Sequence, residues 1–596
     1  TNFSKIHGAH ELRWGFEPRR LEMTHWQPET ANPRGVISFS NAPTTIPGQT
    51  NTTAQNSYAA ALLGLVGNYN KSVQNLLMKT REWQLAWYMG DRWHVSRNLT
   101  LTLGLRYEFY PLINRGDRGV ESYNPWTNTV YLGGINGVSN QITVSKRLFA
   151  PRVGFAWRAA EKWVIRSGYG ITYDPMPFSR PLRGQYPSTI SARWDTATAG
   201  AENPDPQSGW YNTVNKGIPE VPVPDISKGT LPLPLNLDMG PRGPLPGPLT
   251  RGYIQSFNFT IERQLPWDSV ANIAYVGTRT VHQLIQRDLN TAGLGSGLNQ
   301  QAILSSLPFA KLYGRTNGVP LWDGWAYGTY NGLQASLNKS FSKGLLIKAA
   351  YTFSKTLNFS DDDGTASVFN NWDWEPILKR AYGPAGYDRT HMFTVGWVYE
   401  MPAGKGRKFN LTNKVADAVL GGWKVNGTFA AYTGTPYMVS GSTQTTRCAR
   451  GCGTNGADIV GPITKIDKER GAGKPYLDPM AFRDPLWQFN KDGILRFGTI
   501  GRGILRGPGY WQLNPAIYKT FKATERVSAE FRVEAFNFTN TPRWSNPNSG
   551  SASLRLDPNT GALRTDIPYA TALGNFMTIT NATTGRQVRF GLRLVF

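Results

Sequence analysis

Six histidines are the side chains best suited to metal or acid–base chemistry, and they stand apart, at His7, His10, His25, His94, His282 and His391. None belongs to an H-E-x-x-H pair, which would set two imidazoles on one helix face around zinc. No G-x-S-x-G turn presents a nucleophilic serine either, so the residue pattern speaks against a hydrolase. The two cysteines, Cys448 and Cys452, lie in TTRCARGCGTNG. They have no third thiol or nearby histidine with which to complete a zinc tetrad, and their spacing is not C-x-x-C. They read as a local disulfide in an oxidising compartment, with free thiols as the alternative. A third cluster is acidic: NFSDDDGTASVFNNWDWE gathers Asp361, Asp362, Asp363, Asp373 and Glu375. Asp361, Asp363 and Asp373 are candidate oxygen ligands for calcium. The D-x-D-x-D-G order is missing, however, and a solvated acidic loop explains the cluster as well. No other cofactor is expected.

The elements that must position these residues are strands and turns. Of 596 residues 40% are hydrophobic, 12% aromatic and only 17% charged, and 63 Gly with 40 Pro argue against long helices. The longest nearly apolar run, AAALLGLVG at 59–67, falls short of the ~20 residues a membrane helix needs. Any membrane crossing must therefore be made by a closed sheet. The formal charge is +24, but Lys and Arg are scattered singly. Diffuse basicity suits a polar lumen or anionic lipid head groups better than a nucleic-acid groove, so no nucleic-acid partner is expected.

Period-two alternation recurs along the chain. NLTLTLGLRYEFY sets Leu99, Leu101, Leu103, Leu105, Tyr107 and Phe109 on one face and Thr100, Thr102, Arg106 and Glu108 on the other. RVSAEFRVEAFNF does the same, and so do segments 162–174, 253–265, 345–355, 391–402 and 422–434. Short connections (95–98, 159–163, 264–269, 340–344, 521–526 and a longer one after MPAGKGR) alternate with long ones (25–75, 111–145, 175–251, 282–325, 357–389, 436–506 and 541–580). A membrane barrel has such alternation, with tight periplasmic turns and long outer loops; a Greek-key sandwich has no reason to. The expected fold is all-β, a transmembrane antiparallel up-and-down β-barrel over 1–596 with about fourteen strands visible from HELRWGFEPRR onward, and NFSKI as the end of an earlier one. Ionised groups in mid-strand then face a wet lumen: Arg106, Glu108, Arg166, Lys348, Glu530, Arg532 and Glu534. They are either structural cross-strand pairs or the lining of a path. The Pro-rich part of 175–251 is expected to be stiff, a lid, a docking rim or a packed spacer. In the last strand, RQVRFGLRLVF, Val588, Phe590, Leu592, Leu594 and Phe596 share the greasy face.

Several stretches resemble a known family. YMGDRWHVSRNLTLTLGLRYEFY is similar to a strand–turn–strand pattern of TonB-dependent outer-membrane receptors, and FGTIGRGILRGPGYWQLNPAIYKTF with FRVEAFNFTNTPRW resembles the Oar-like branch, whose members usually carry a carboxypeptidase-regulatory-like domain. YTFSKTLNFSDD, YDRTHMFTVGWVYEMPAGKGRKF and GGWKVNGTFAAYTGTPY fit the same branch. Gly90 stands where the family usually has Gln, and Asn514 where it has Asp. The resemblance implies a barrel of about 22 strands around a plug, so this chain is expected to be a C-terminal portion without signal peptide, β-sandwich, plug or first strands. It also implies TonB-driven import of a scarce, unidentified ligand, contact with the TonB complex through the plug, and residence in the outer membrane of a Gram-negative-type bacterium among lipid and lipopolysaccharide. The apolar alternation ending on Phe596 resembles the signal read by the barrel-assembly machinery. A passive porin and a surface adhesin or assembly protein are the alternatives on the same barrel.

Overall fold

The structure, a computed structural model, describes residues 1–25, 32–41, 44, 53–175, 185–195, 213–218, 220–235, 237, 239, 245–361, 372–466, 471, 473–522, 524, 526–557, 559–583 and 585–596. One long antiparallel meander dominates it. In chain order its strands are β1 (Asn2–His7), β2 (His10–His25), β3 (Met78–His94), β4 (Leu99–Phe109), β5 (Leu148–Ala160), β6 (Trp163–Tyr173), β7 (Tyr253–Leu265), β8 (Ser269–Asp288), β9 (Pro320–Ser342), β10 (Leu345–Asn358), β11 (His391–Glu400), β12 (Trp423–Tyr432), β13 (Tyr510–Lys522), β14 (Ser528–Phe536) and β15 (Gln587–Val595). Each pairs with the next, and the short segment Gly383–Pro384 adds a sixteenth strand beside β10. Fourteen of these strands begin at His10; the fifteenth is NFSKI with its last residue, His7. Among the described residues β1 pairs only with β2 and β15 only with β14, so the sheet has two open edges.

The register carries the alternation across the sheet. One lateral row reads Leu99, Trp157, Ile165, Ile261, Ile273, Ala335, Tyr351, Phe393, Ala431 and Trp511. The adjacent row, on the other face, reads Thr100, Ala156, Arg166, Thr260, Ala274, Gln334 and Thr352. Strand side chains alternate faces, so a matched register yields one apolar and one polar surface. Large residues on the apolar surface stay uncovered: Phe590 is 73% exposed. Where that surface carries glycine, an aromatic ring leans over the gap, Phe257 over Gly277 and Trp397 over Gly427.

The long connections gather at one end of the strands, and most of the buried core lies there. One cluster joins Phe359, Trp372, Tyr437, Val439, Phe482, Ile500, Leu505, Phe576 and Ile579; another joins Tyr69, Tyr123, Val130, Tyr186, Leu233, Met239, Phe309 and Leu321. Short strands stitch this cap, with Asn68–Gln74 between Val36–Ser38 and Thr189–Asp195, and Thr129–Leu132 between Glu121–Asn124 and Thr230–Pro232. At its centre the Glu121 carboxylate is fully buried and paired with Arg115 at 2.9 Å and Arg118 at 2.6 Å. Burial alone would raise its pKa, but the two guanidiniums hold it below the usual carboxylate range. The Pro-rich stretch is a packed spacer in its described part. Arg315, itself buried, donates to the carbonyls of Leu237, Leu233 and Pro234 at 2.7, 2.8 and 3.0 Å.

One boundary differs from expectation. The connection expected over 282–325 is shorter, because β8 and β9 run on into the cap. A register shift at Thr280–Gln283, with His282 at φ 54°, marks the change. Beyond it, consecutive residues are buried on both faces, Leu284 with Ile285 and Leu321 with Trp322. Cap residues cover both sides there, so alternation ceases while pairing continues.

Candidate ligand site beneath the cap

The polar face of β6–β10 meets the cap around a cavity of about 810 Å³. Its floor carries hydroxyls, Thr172, Thr278, Thr280, Tyr330, Ser354 and Thr356, projecting from one face of β6, β8, β9 and β10, with Ile254 of β7 between Thr172 and Thr280. Its wall comes from the cap: Asp361, Tyr387, Asp388 and Arg389. Two salt bridges fix that wall. Asp388 is fully buried, accepts the Thr356 backbone N–H at 2.6 Å and is ion-paired to Arg506, which also donates to the Asp388 carbonyl at 2.9 Å. Asp361 accepts the Gly386 N–H at 3.1 Å and faces Arg502 at 3.5 Å. Burial pulls the Arg502 guanidinium down to about 10, with Asp361 opposing it. Arg502 remains charged at neutral pH and clamps the cap to β10 by donating to the Asn358 carbonyl at 2.6 Å. Arg389 donates to Thr433 O at 2.5 Å and lies 5.5 and 5.4 Å from the Tyr432 and Tyr510 ring centres, a doubly stacked cation. Such a chamber sets hydroxyls and a few charged groups among carbon-rich walls that include Ile254, Leu357, Met392 and several tyrosine rings, which suits a ligand with both apolar and hydrogen-bonding parts.

The polar candidates expected at the lumen lie along the same face in local charge networks. Arg106 binds Glu108 at 2.7 Å and reaches across the small Ala86 to Glu17 at 3.1 Å. Arg166 faces Glu262 on the neighbouring strand at 3.7 Å. Arg532 sits between Glu530 at 2.9 Å and Glu534 at 3.8 Å. Lys348 and Glu534 line a smaller cavity with Asn426, Asn514 and Tyr518. None of these residues lines the chamber beneath the cap. Cys448 and Cys452 are joined as a disulfide in the cap. Of the acidic cluster, Asp362 and Asp363 lie outside the described residues, Asp361 is taken up by Gly386 and Arg502, and Asp373 is largely buried. Among the described residues no three His, Cys, Asp or Glu side chains gather as a metal site requires. Val588, Phe590, Leu592 and Leu594 fall on the uncovered apolar face, as the alternation predicts, with Arg589 and Arg593 opposite Glu534 and Glu530. The chamber residues Asp388 and Arg389, and Arg506 that pairs with Asp388, escape a reading based on strand pattern. Their only sequence signal is position, Asp388-Arg389 just before β11 and Arg506 in LRGPGY just before β13.

Residues 1–589 match the family model described as outer membrane beta barrel domain. The chain belongs to this family. Its apolar sheet face is therefore the lipid-facing one, and the cap and the tight turns lie at opposite ends of an outer-membrane barrel wall. No curated protein matches. Among solved structures the chain is similar to the siderophore receptor PirA from Acinetobacter baumannii (11% identity, TM-score 0.40, covering 100% of this chain and 53% of that one). It is also similar to the FrpB iron transporter from Neisseria meningitidis (11%, 0.41, 100% and 54%) and to P. aeruginosa FpvA bound to heterologous pyoverdines (11%, 0.40, 100% and 47%). The barrel chain thus spans about half the length of these structures.

Proposed function

We propose that this barrel wall belongs to a TonB-dependent receptor of the Oar-like branch, of which it is the C-terminal portion, and that the chamber beneath the cap receives the imported ligand. The chamber itself carries the reading: an open porin needs a clear polar face, whereas here salt-bridged cap residues close over the outer end of β6–β10. The two open edges support further strands, since unpaired backbone groups cannot face hydrocarbon. In this reading Arg166, Lys348, Glu530, Arg532 and Glu534 line the path below the level of the chamber, and Arg106 and Glu108 line it beside the chamber. Val588, Phe590, Leu592, Leu594 and Phe596 serve as the assembly signal; deleting Phe596 should lower outer-membrane yield, and normal yield would remove that role.

The function is tested by growing cells with and without the gene and following which compounds leave the medium. A receptor predicts one compound class depleted only by gene-bearing cells and only while the inner membrane is energised. Depletion that survives a protonophore, or that extends to small solutes in general, would point to a porin instead.

A further inference from the structure

Six of the seven connections at the periplasmic end are tight turns of a few residues; the connection over 401–422 between β11 and β12 is not. It carries a short helix, Lys414–Leu420, capped by Asn413, whose side chain accepts the N–H groups of Val415 and Ala416. Asp417 folds back to accept the Lys405 N–H at 2.8 Å. The helix turns large apolar side chains outward: Val415 is 72% exposed, Val419 60% and Leu420 59%, with Phe409 at 60% beside them. In a water-facing turn this is an unfavourable arrangement without a partner.

Where the helix is tethered identifies the partner. Two side chains hold its C-terminal end, and both belong to the lipid-facing row Trp423, Lys519, Phe531, Leu592. The Trp423 indole N–H donates to Val419 O at 2.8 Å. Lys519, a buried cation between the rings of Trp423 and Phe521, donates to Gly421 O at 2.5 Å and Asp417 O at 3.3 Å, at the negative end of the helix. The helix is thus fastened to the lipid side of the wall, and the flanking hairpins carry the exposed Phe341 and Phe521. The same turn carries Lys405, Arg407, Lys408 and Lys414 against the single acid Asp417. Arg407 pairs with Glu400 on β11, which leaves exposed lysines at the level of the head groups.

We propose that residues 401–422 form an interfacial foot in the periplasmic leaflet, with Val415, Val419 and Leu420 seated among acyl chains and Lys405, Lys408 and Lys414 binding the phosphates of anionic phospholipid. An apolar helix face continuous with the hydrophobic belt and flanked by lysines is the chemistry of an interfacial helix on a charged bilayer surface. The foot anchors β11 and β12; β11 follows Arg389 of the chamber wall, and β12 ends on Tyr432, over whose ring Arg389 lies.

The test places an environment-sensitive NBD label on V419C in the protein taken whole from the outer membrane and reconstituted in vesicles; the native cysteines are disulfide-bonded and do not compete. Phosphatidylglycerol brominated in its acyl chains should quench the label about twofold more than brominated phosphatidylcholine at equal content. The K405Q/K408Q/K414Q variant should lose that preference while retaining quenching by both lipids and the faster gel migration of unheated protein. Equal quenching by the two lipids in the parent overturns the anionic site. A label that neither lipid quenches but aqueous iodide does overturns the foot and makes the turn a docking surface for a periplasmic protein.

Discussion

The sheet and the cap are made from one chain under opposite rules. Along the lipid-facing rows of the sheet large apolar side chains are left outside: Phe590, Leu592 and Leu594 are 73%, 69% and 60% exposed. In the cap the same residue types turn inward, with Val439, Ile500, Phe576 and Ile579 fully buried among loops that hold little regular structure. The difference is one of solvent. In lipid the backbone must be paired throughout and the apolar face can stay outside; in water the hydrophobic effect assembles a core and irregular backbone is tolerated. Hence the wall is held by its hydrogen-bond ladder and the cap by side-chain packing and buried ion pairs, and the two should fail independently.

Glu121 offers the largest expected separation. E121Q removes the buried carboxylate that Arg115 and Arg118 share, leaving Arg118 with the exposed Asp117 at 3.5 Å, at a cost of about 3–5 kcal/mol. The cap should then be clipped by protease added to intact cells while unheated protein still migrates fast on a gel. Loss of fast migration would mean that cap and wall fold as one unit. The converse change is I273R in the lipid-facing row, worth about 2–4 kcal/mol near the bilayer midplane. It should lower the amount of folded protein in the membrane and leave the cap of the surviving molecules resistant. An I273R protein inserted at the normal level would show that this face is not in lipid.

The two regions also differ in how far they are legible in the sequence. The strand expected over 253–265 is β7 to the residue, and 162–174 and 391–402 miss their strands by one or two positions. Lipid on one side and water on the other impose a strict two-residue period, which a reader can follow. The period disappears where Leu284 and Ile285 are both buried, and with it the visible end of β8. The chamber was out of reach for a related reason. Asp388 meets Arg506 across 118 residues and Asp361 meets Arg502 across 141, and nothing local in a loop records which distant loop it will touch. Charged residues repeated inside strands were recognisable as a polar face, whereas single ion pairs that assemble a cap were not.

Smaller effects sharpen the comparison inside the cap. The Cys448–Cys452 loop is short, so C448S/C452S should weaken the cap by about 2 kcal/mol, seen as faster surface proteolysis with unchanged membrane yield. Equal proteolysis of parent and variant would show that packing around Cys452 already fixes this segment.

The finest effect concerns pH. Burial, and then the nearby Asp288 carboxylate, push Asp373 up to about 7, against about 4 in an unfolded chain. Between those values the folded cap keeps the proton and the unfolded chain releases it. The contribution is therefore fully present below about pH 4 and is lost as pH rises through about 7. Proteolysis of the cap should accelerate over that window, D373N should flatten the dependence, and the sheet, read by gel migration, should not respond at all. A parent cap that strengthens between pH 5 and 7 would reverse the sign and place the controlling titration elsewhere, while a D373N cap with the parent's slope would free Asp373 of the role.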